Sequence, residues 1–426
     1  MSVRTNKLVA VFVATLVGFV LAAPAADAGA PLTPLTGVVQ VEVGRQMGCA
    51  VMGDTTARCW GLGPLGTGGS FSETSRSAVV VEDAAGDPMT GVAQIVVGGG
   101  RFVCVRLVGG TAQCWGDNMT AVLGDGTTTS SLTPVAVQRP GGGGPLTDVA
   151  SLTAGDGHVC ALLTNGQARC WGQNSGALGD GTTTDRPRPV AVRNGAGTGP
   201  LTGITQIVAG AMHTCALLTN ATVRCWGDNG VSQVGDGTTT SRLLPRTVKA
   251  HTGSGALSNV VQLSTQTRNT CARTTAGQLR CWGPNRNGEL GTGSVTPVSQ
   301  PTPLLPRIVV PPTGTGALSS VRRVGVGSSH SCARVGSTGE ARCWGSNSQG
   351  QAGDGTVTTP RPRPRVVRNV ANTGPLTGVV DVSSADQHSC ALLSDTTVAC
   401  WGANGVGEVG DGTNAPRRTT PRLVVG

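Results

Sequence analysis

The chain has 426 residues, with 66 Gly, 25 Pro, 14 Cys, seven Trp, four Phe and no Tyr, and charged residues make up only 13%. So little charge excludes extensive solvated helical surface, and Gly and Pro at this density punctuate the short elements of an all-β protein. The net charge of +9 rests on 30 Arg and two Lys, which favours an acidic partner unless it reflects composition alone.

The first element in chain order is a targeting segment. Arg4 and Lys7 precede an apolar run from Leu8 to Ala23, and small residues follow as far as Ala26-Asp27-Ala28. A basic start, a short apolar run and an A-x-A site are the marks of a secretory signal peptide, and the run is short for a membrane span. We therefore read residues 1–28 as a signal peptide and 29–426 as one domain, secreted to the extracellular space or periplasm, with no membrane span. Removing Arg4, Lys7 and Asp27 lowers the net charge from +9 to +8.

The remainder is a repeat. Cys-Trp-Gly occurs seven times, with Trp at 60, 115, 171, 226, 282, 344 and 401, and no Trp lies elsewhere. The copy from Pro200 to Val248 opens with Pro200-Leu201-Thr202-Gly203 and the alternating run Ile204–Val208. His213-Thr-Cys215-Ala-Leu-Leu218 follows, then a tight turn, Val223-Arg-Cys225-Trp226-Gly227, a long loop with Gly235-Asp236-Gly237-Thr238, and Pro245 before Thr247-Val248. This pattern predicts four short strands, A to D, and no helix. Seven such copies predict a seven-bladed β-propeller of four-stranded antiparallel blades. Thr420–Val425 reads as a lone D strand that completes the sheet begun by Val38–Val43, so that no edge is left open.

The cysteines fall two per repeat: 49/59, 104/114, 160/170, 215/225, 271/281, 332/343 and 390/400. A three-residue turn centred on Asn165 sets Cys160 directly opposite Cys170 across the B–C hairpin, close enough for a disulfide. The one longer spacing, Cys332 to Cys343, is absorbed by a four-residue turn, Gly336–Gly339. In an exported chain this predicts seven bridges, Cys49–Cys59, Cys104–Cys114, Cys160–Cys170, Cys215–Cys225, Cys271–Cys281, Cys332–Cys343 and Cys390–Cys400. Isolated pairs do not converge as metal ligands do.

Other recurring groups read as structural. His158, His213, His330 and His388 stand two residues before a first Cys, where Met47, Phe102 and Asn269 stand in other copies; bonding to a local backbone group suits them better than a metal or catalysis. The Asp of Gly-Asp-Gly-Thr, at 125, 180, 236, 354 and 411, suits an Asx turn, since one Asp per loop falls short of a calcium site. The Trp are expected to wedge between blades. With Phe71 and Phe102 the only other aromatics of the mature chain, nucleic-acid stacking is poorly supplied. No catalytic residue, metal site or cofactor is expected.

That leaves surface. The copies differ most in the A–B loops, and the binding residues expected there are Arg45, Gln46, Met47, Arg101, Phe102, Asp156, Met212, Arg268, Asp386 and Gln387. Arg186, Arg188, Arg242, Arg246, Arg361, Arg363, Arg365, Arg417 and Arg418 follow the C–D loops and form a candidate basic outer rim.

Gly155, His158, Ala161-Leu162-Leu163, Trp171-Gly172, Asn174, Gly176, Leu178-Gly179 and Gly181 resemble the regulator of chromosome condensation repeat, and the resemblance covers roughly residues 35–426. It implies a seven-bladed propeller with repeats offset from blades and a closure shared between the termini. The eponymous members are nuclear and promote nucleotide exchange on a small GTPase, a setting at odds with an exported, bridged chain. Other relatives are secreted bacterial proteins, one of which inhibits β-lactamases with a propeller face. The expectation is a secreted, non-enzymatic, monomeric binding protein with an acidic protein partner and no nucleic acid. The alternative is a glycan-binding lectin or a hydrolytic or lyase enzyme with its site in the central channel.

Overall fold

The alternation of apolar and polar residues, cut by Gly-rich turns, resolves into strands throughout. The computed structural model describes residues 32–426, which form 28 strands and no helix among the described residues. They make seven four-stranded antiparallel sheets, each built from four consecutive strands. The third blade is typical: strand A is Val149–Ala154, B is His158–Leu163, C is Ala168–Gly172 and D is Arg186–Ala191. Strand A lines the central channel and strand D is the outer edge.

Hairpin register places each cysteine pair as the spacing predicts. Cys160 stands opposite Cys170 and Cys332 opposite Cys343, and all seven pairs are bridged with Cα–Cα distances of 4.1 Å. The disulfides lie on the blade face that meets the next blade's Trp: Cys160, Cys170, Leu162, Ile204, Ile207 and Trp226 share one apolar cluster. Every Trp is fully buried. Its indole N–H donates to a carbonyl in the C–D loop of the preceding blade, as in Trp226 to Ala177 at 2.8 Å and, across the ends of the chain, Trp60 to Glu408 at 2.9 Å. The Trp are thus wedges that also carry a bond.

The inner strands are laced together in the channel. Gln40, Gln94 and Gln206 each bond in both directions to the backbone of the next blade's strand A; Gln40, for example, donates to Ile95 O at 2.9 Å and accepts from Ile95 N at 3.0 Å. At three other junctions a hydroxyl two residues further on accepts instead: Ala209 N donates to Thr153, Val326 N to Ser264 and Val43 N to Ser383.

Ring closure differs from the sequence expectation. The last strand, Arg417–Leu423, completes the seventh sheet with Val379–Ser384, His388–Leu393 and Val398–Ala403, while Val38–Val43 belongs to the first sheet with its own D strand, Glu73–Val80. Repeats and blades coincide, so neither the offset nor a sheet shared by the termini exists. The D–A connectors explain how closure works without them. In each of the six chain connections a backbone N–H folds back onto the end of the preceding D strand, as in Leu146 N to Val137 O at 2.7 Å and Leu201 N to Val192 O at 2.9 Å. At the junction of the termini, Leu35 N makes the same bond to Val424 O at 2.8 Å, and Gly426 N bonds Thr33 O at 3.0 Å.

This junction carries one further adaptation. Five D strands hold a buried Pro at one edge position, Pro134, Pro189, Pro245, Pro364 and Pro421, and in the fifth blade Pro306 stands at the same place just before the short D strand Arg307–Ile308; Pro blunts the open edge because it offers no N–H. The first blade has Ala78 there, and its N–H donates to Val425 O at 2.8 Å.

Candidate interaction face and central channel

The A–B loops are fixed from below by the Gly of Cys-Trp-Gly. That Gly has φ of +101° at Gly172 and +118° at Gly116, and a Cβ there would stand 2.6 and 2.4 Å from the carbonyl oxygens of Gly157 and Arg101. Only Gly fits so tight and left-handed a position. The next residue then donates to the same carbonyl, Gln173 N to Gly157 O at 2.7 Å and Asp228 N to Met212 O at 2.9 Å. The loop backbone is clamped and its side chains project from the face.

The structure brings most of the expected binding residues to one mouth of the channel. Arg45, Gln46, Arg101, Met212, Arg268 and Gln387 are exposed, and Asp156 and Asp386 are half-buried. Arg45, Asp156, Met212, Arg268, Arg286 and Asp386 border a cavity of about 570 Å³ there. Several polar groups are already engaged: Arg45 pairs with Asp156 at 3.1 Å across the mouth, and Ser328 Oγ donates to Asp386. Met119, in the C–D loop of the second blade, is 80% exposed beside Arg101 and was missed by the A–B loop reading.

Met47 and Phe102 do not belong to this face. They are 0% and 1% exposed, because each is the first residue of a B strand and turns into the packing between blades. They fill the slot that His takes elsewhere. The His side chains likewise bond elsewhere than expected: His158 Nε2 lies 2.9 Å from Thr214 Oγ1 in the next blade, His213 Nε2 lies 2.9 Å from Thr270 Oγ1, and His330 Nε2 lies 2.7 Å from Ser389 Oγ. These are bonds between blades, not to local backbone. Thr214 donates its own proton to Ala177 O, so His158 Nε2 is the donor. Burial holds His158 and His330 down to about 3, and His213 and His388 to about 4, so all four are neutral. His388 faces the first blade, where Gly48 replaces the hydroxyl, and among the described residues neither ring nitrogen has a hydrogen-bond partner.

The Gly-Asp-Gly-Thr loops are Asx turns as expected: Asp180 accepts from Thr182 N at 2.9 Å and Asp236 from Thr238 N at 3.0 Å. The same carboxylates neutralise much of the proposed basic rim. Arg186, Arg242, Arg361 and Arg418 pair with Asp180, Asp236, Asp354 and Asp411 at 2.6–2.8 Å. Arg363 and Arg417 donate to backbone carbonyls of the preceding blade. Arg246 and Arg365 remain exposed on strand D.

The channel itself, about 350 Å³, is lined by strand A side chains. Two carboxylates sit in it, Glu42 and Asp381, which sequence reasoning overlooked although the period-2 alternation of strand A points them inward. Burial, then the negative field of Asp381, push Glu42 up to about 8 against a weaker opposing bond to Ser383. Asp381, about half exposed at the channel's edge, is raised as well, mainly because the surrounding protein displaces part of the water around its carboxylate. Among the described residues no three His, Cys, Asp or Glu side chains cluster as a metal site, and no helix is long and apolar enough to cross a membrane.

Comparison with known proteins matches this geometry. Residues 110–162, 165–217, 276–334 and 339–392 match the Regulator of chromosome condensation (RCC1) repeat, and a second description of that repeat matches 149–176, 204–233, 321–351 and 379–408. The chain is 28% identical over 342 residues to the ultraviolet-B receptor UVR8 of Arabidopsis thaliana, covering 79% of this chain and 71% of the receptor. It is 27% identical to the human E3 ubiquitin-protein ligase HERC2 over 64% of this chain but only 5% of that ligase. The crystal structure of Prp20p from Saccharomyces cerevisiae, described with its binding to Gsp1p and histones, superposes with a TM-score of 0.65 at 19% identity, covering 92% of this chain and 90% of that one. Human WBSCR16 superposes with a TM-score of 0.64 at 18% identity, covering 85% and 88%.

Proposed function

The chain belongs to the regulator of chromosome condensation (RCC1) repeat family, and from that premise we propose that it is an exported, non-enzymatic, monomeric propeller that binds another protein through the face formed by its A–B and C–D loops. The observation that carries this reading is the contrast between frame and face. The repeated His and Trp lie buried between blades and the repeated Asp and Gly hold turns within them, whereas Met212 and Arg268 stand exposed at the 570 Å³ mouth and Arg101, Met119 and Gln387 stand exposed on the same face. Exposed Met and Arg around a concave centre suit a protein interface. Seven disulfides fit an oxidising compartment. The signal peptide read in residues 1–28 lies outside the described residues and supplies the export route in this proposal.

The test is capture of partners by mature protein recovered from culture medium, with Arg101→Ala, Met212→Ala and Arg268→Ala variants alongside and duplex DNA as a competitor. Partner capture that falls with these variants and ignores DNA supports the face. Capture unchanged by all three overturns it. The alternative, a lectin or hydrolase in the channel, draws on Glu42 and Asp381. Release of reducing sugar or peptide by the purified protein, abolished by Glu42→Gln, decides for it.

A further inference from the structure

The opposite mouth of the channel, on the side of the B–C turns and D–A connectors, carries an uncompensated positive charge that the frame does not need. In the sixth blade Arg323, on strand A (Val321–Val326), stands directly opposite Arg334 on strand B (His330–Val335). Like charges directly opposed across two strands are destabilising. Arg322 beside them is exposed, and Arg273 of the fifth blade joins the group: its Nε donates to Gln262 at 3.2 Å, and burial together with the fields of Arg323 and Arg322 lowers its affinity for its proton. One acid, Asp381, answers four guanidinium groups, 4.0 Å from Arg323 with both side chains about half exposed. Arg334 Nε is buried with no hydrogen-bond partner among the described residues. The nearby Glu340 is already taken by Arg342.

The same edge is apolar on either side. The second residue of strand A, the position of Arg322, is Val261 in the preceding blade and Val380 and Val39 in the two that follow, exposed by 40%, 45% and 57%. Paired guanidinium groups grip carboxylates in bidentate fashion, and the flanking valines offer contact that a sulfated sugar chain has no apolar groups to match. We propose that this second mouth is a binding site for an acidic peptide segment of a partner protein, with carboxylates on Arg273, Arg322, Arg323 and Arg334 and apolar side chains over Val261, Val380 and Val39. The site lies opposite the face proposed above and stands or falls independently of it.

Fluorescence anisotropy with a short labelled peptide alternating Glu and Leu tests the assignment, using the oxidised full-length mature protein. Binding is expected to weaken with salt and to fall roughly tenfold or more in an Arg322→Gln/Arg323→Gln double variant. It should be unchanged in an Arg101→Gln/Arg268→Gln variant at the other mouth. The melting temperature of Arg323→Gln should hold or rise, since it relieves the opposition with Arg334, which separates lost binding from lost folding. Equal binding of a Lys-Leu peptide, wild-type affinity in the double variant, or preferential binding to phosphatidylserine vesicles or heparin would overturn the proposal.

Discussion

Replacing Glu42 by Gln makes a quantitative demand on the channel. Burial and the field of Asp381 raise the Glu42 carboxyl from 4.5 to about 8 in the fold, so the folded protein holds a proton that the unfolded chain releases. Stability contributed by this proton is fully present below pH 4.5 and is lost as pH rises through 8. A separation of about 3.5 pKa units at about 1.36 kcal/mol each sets a ceiling of roughly 5 kcal/mol. The channel is open at its mouths and lined by polar side chains, so about 2–3 kcal/mol is the working expectation. Gln mimics the protonated carboxyl. Glu42→Gln should therefore be close to neutral at pH 5 and stabilising by that amount at pH 9, read from urea unfolding midpoints of the oxidised protein. Asp381→Asn should shrink the wild-type loss and end it at lower pH, because it removes the second cause of the raised pKa. A stabilisation of Glu42→Gln equal at both pH values, or a loss at pH 9, would refute the reasoning.

Three further perturbations test the frame. Converting both Cys160 and Cys170 to Ala opens a loop of about eleven residues and should cost roughly 2–3 kcal/mol; for the wild type, intact mass should rise by fourteen hydrogens on reduction, and free thiols before reduction would contradict the pairing. His388→Met should be neutral or stabilising, because it replaces an unpartnered buried imidazole with the residue found at Met47. His158→Met should cost about 1–2 kcal/mol by removing the bond to Thr214, so a larger loss at 388 than at 158 would contradict the blade-to-blade reading. Ala78→Pro introduces the residue that the other six blades carry, yet should destabilise by about 1–2 kcal/mol because it strips the N–H bonded to Val425 O; the reverse change, Pro421→Ala, should be nearly silent in the same unfolding assay.

What the sequence disclosed was whatever repeats with local cause. The cysteine spacing fixes hairpin register, since residues on either side of one turn must face each other, and even the longer Cys332–Cys343 interval explains itself through Gly336–Gly339. Trp burial and the Asx turns were legible for the same reason. Contacts between repeats were not. That His158 reaches Thr214, 56 residues away, depends on how blades rotate about the channel, and only afterwards does the chain itself show a trace of it: where His388 has no partner, the matching residue is Gly48. Met47 and Phe102 were misplaced because a strand that starts one residue earlier changes which side chains belong to a loop. Glu42 and Asp381 escaped notice because they occur once each, and repetition draws attention to what is shared.

The termini show how such a ring closes without sharing a sheet. A propeller whose repeats coincide with its blades leaves its first and last sheets joined by no peptide bond, so that junction is held by hydrogen bonds and packing, nearly all of kinds present at the other six. The connector contact reappears as Leu35 N to Val424 O, the indole bond as Trp60 to Glu408, and the inner lacing as Val43 N to Ser383. The loop-to-edge bond, Gly126 N to Pro187 O in the third blade's case, reappears as Gly412 N to Arg76 O. One contact is lost, that of His388, and one is gained, at Ala78. A Pro at that edge position serves the six junctions where the connector is covalent and the edge needs blunting. At the seventh, a free N–H ties the C-terminal residues onto the first blade, so the single departure from the Pro pattern falls where closure has to be made by hydrogen bonds and packing alone.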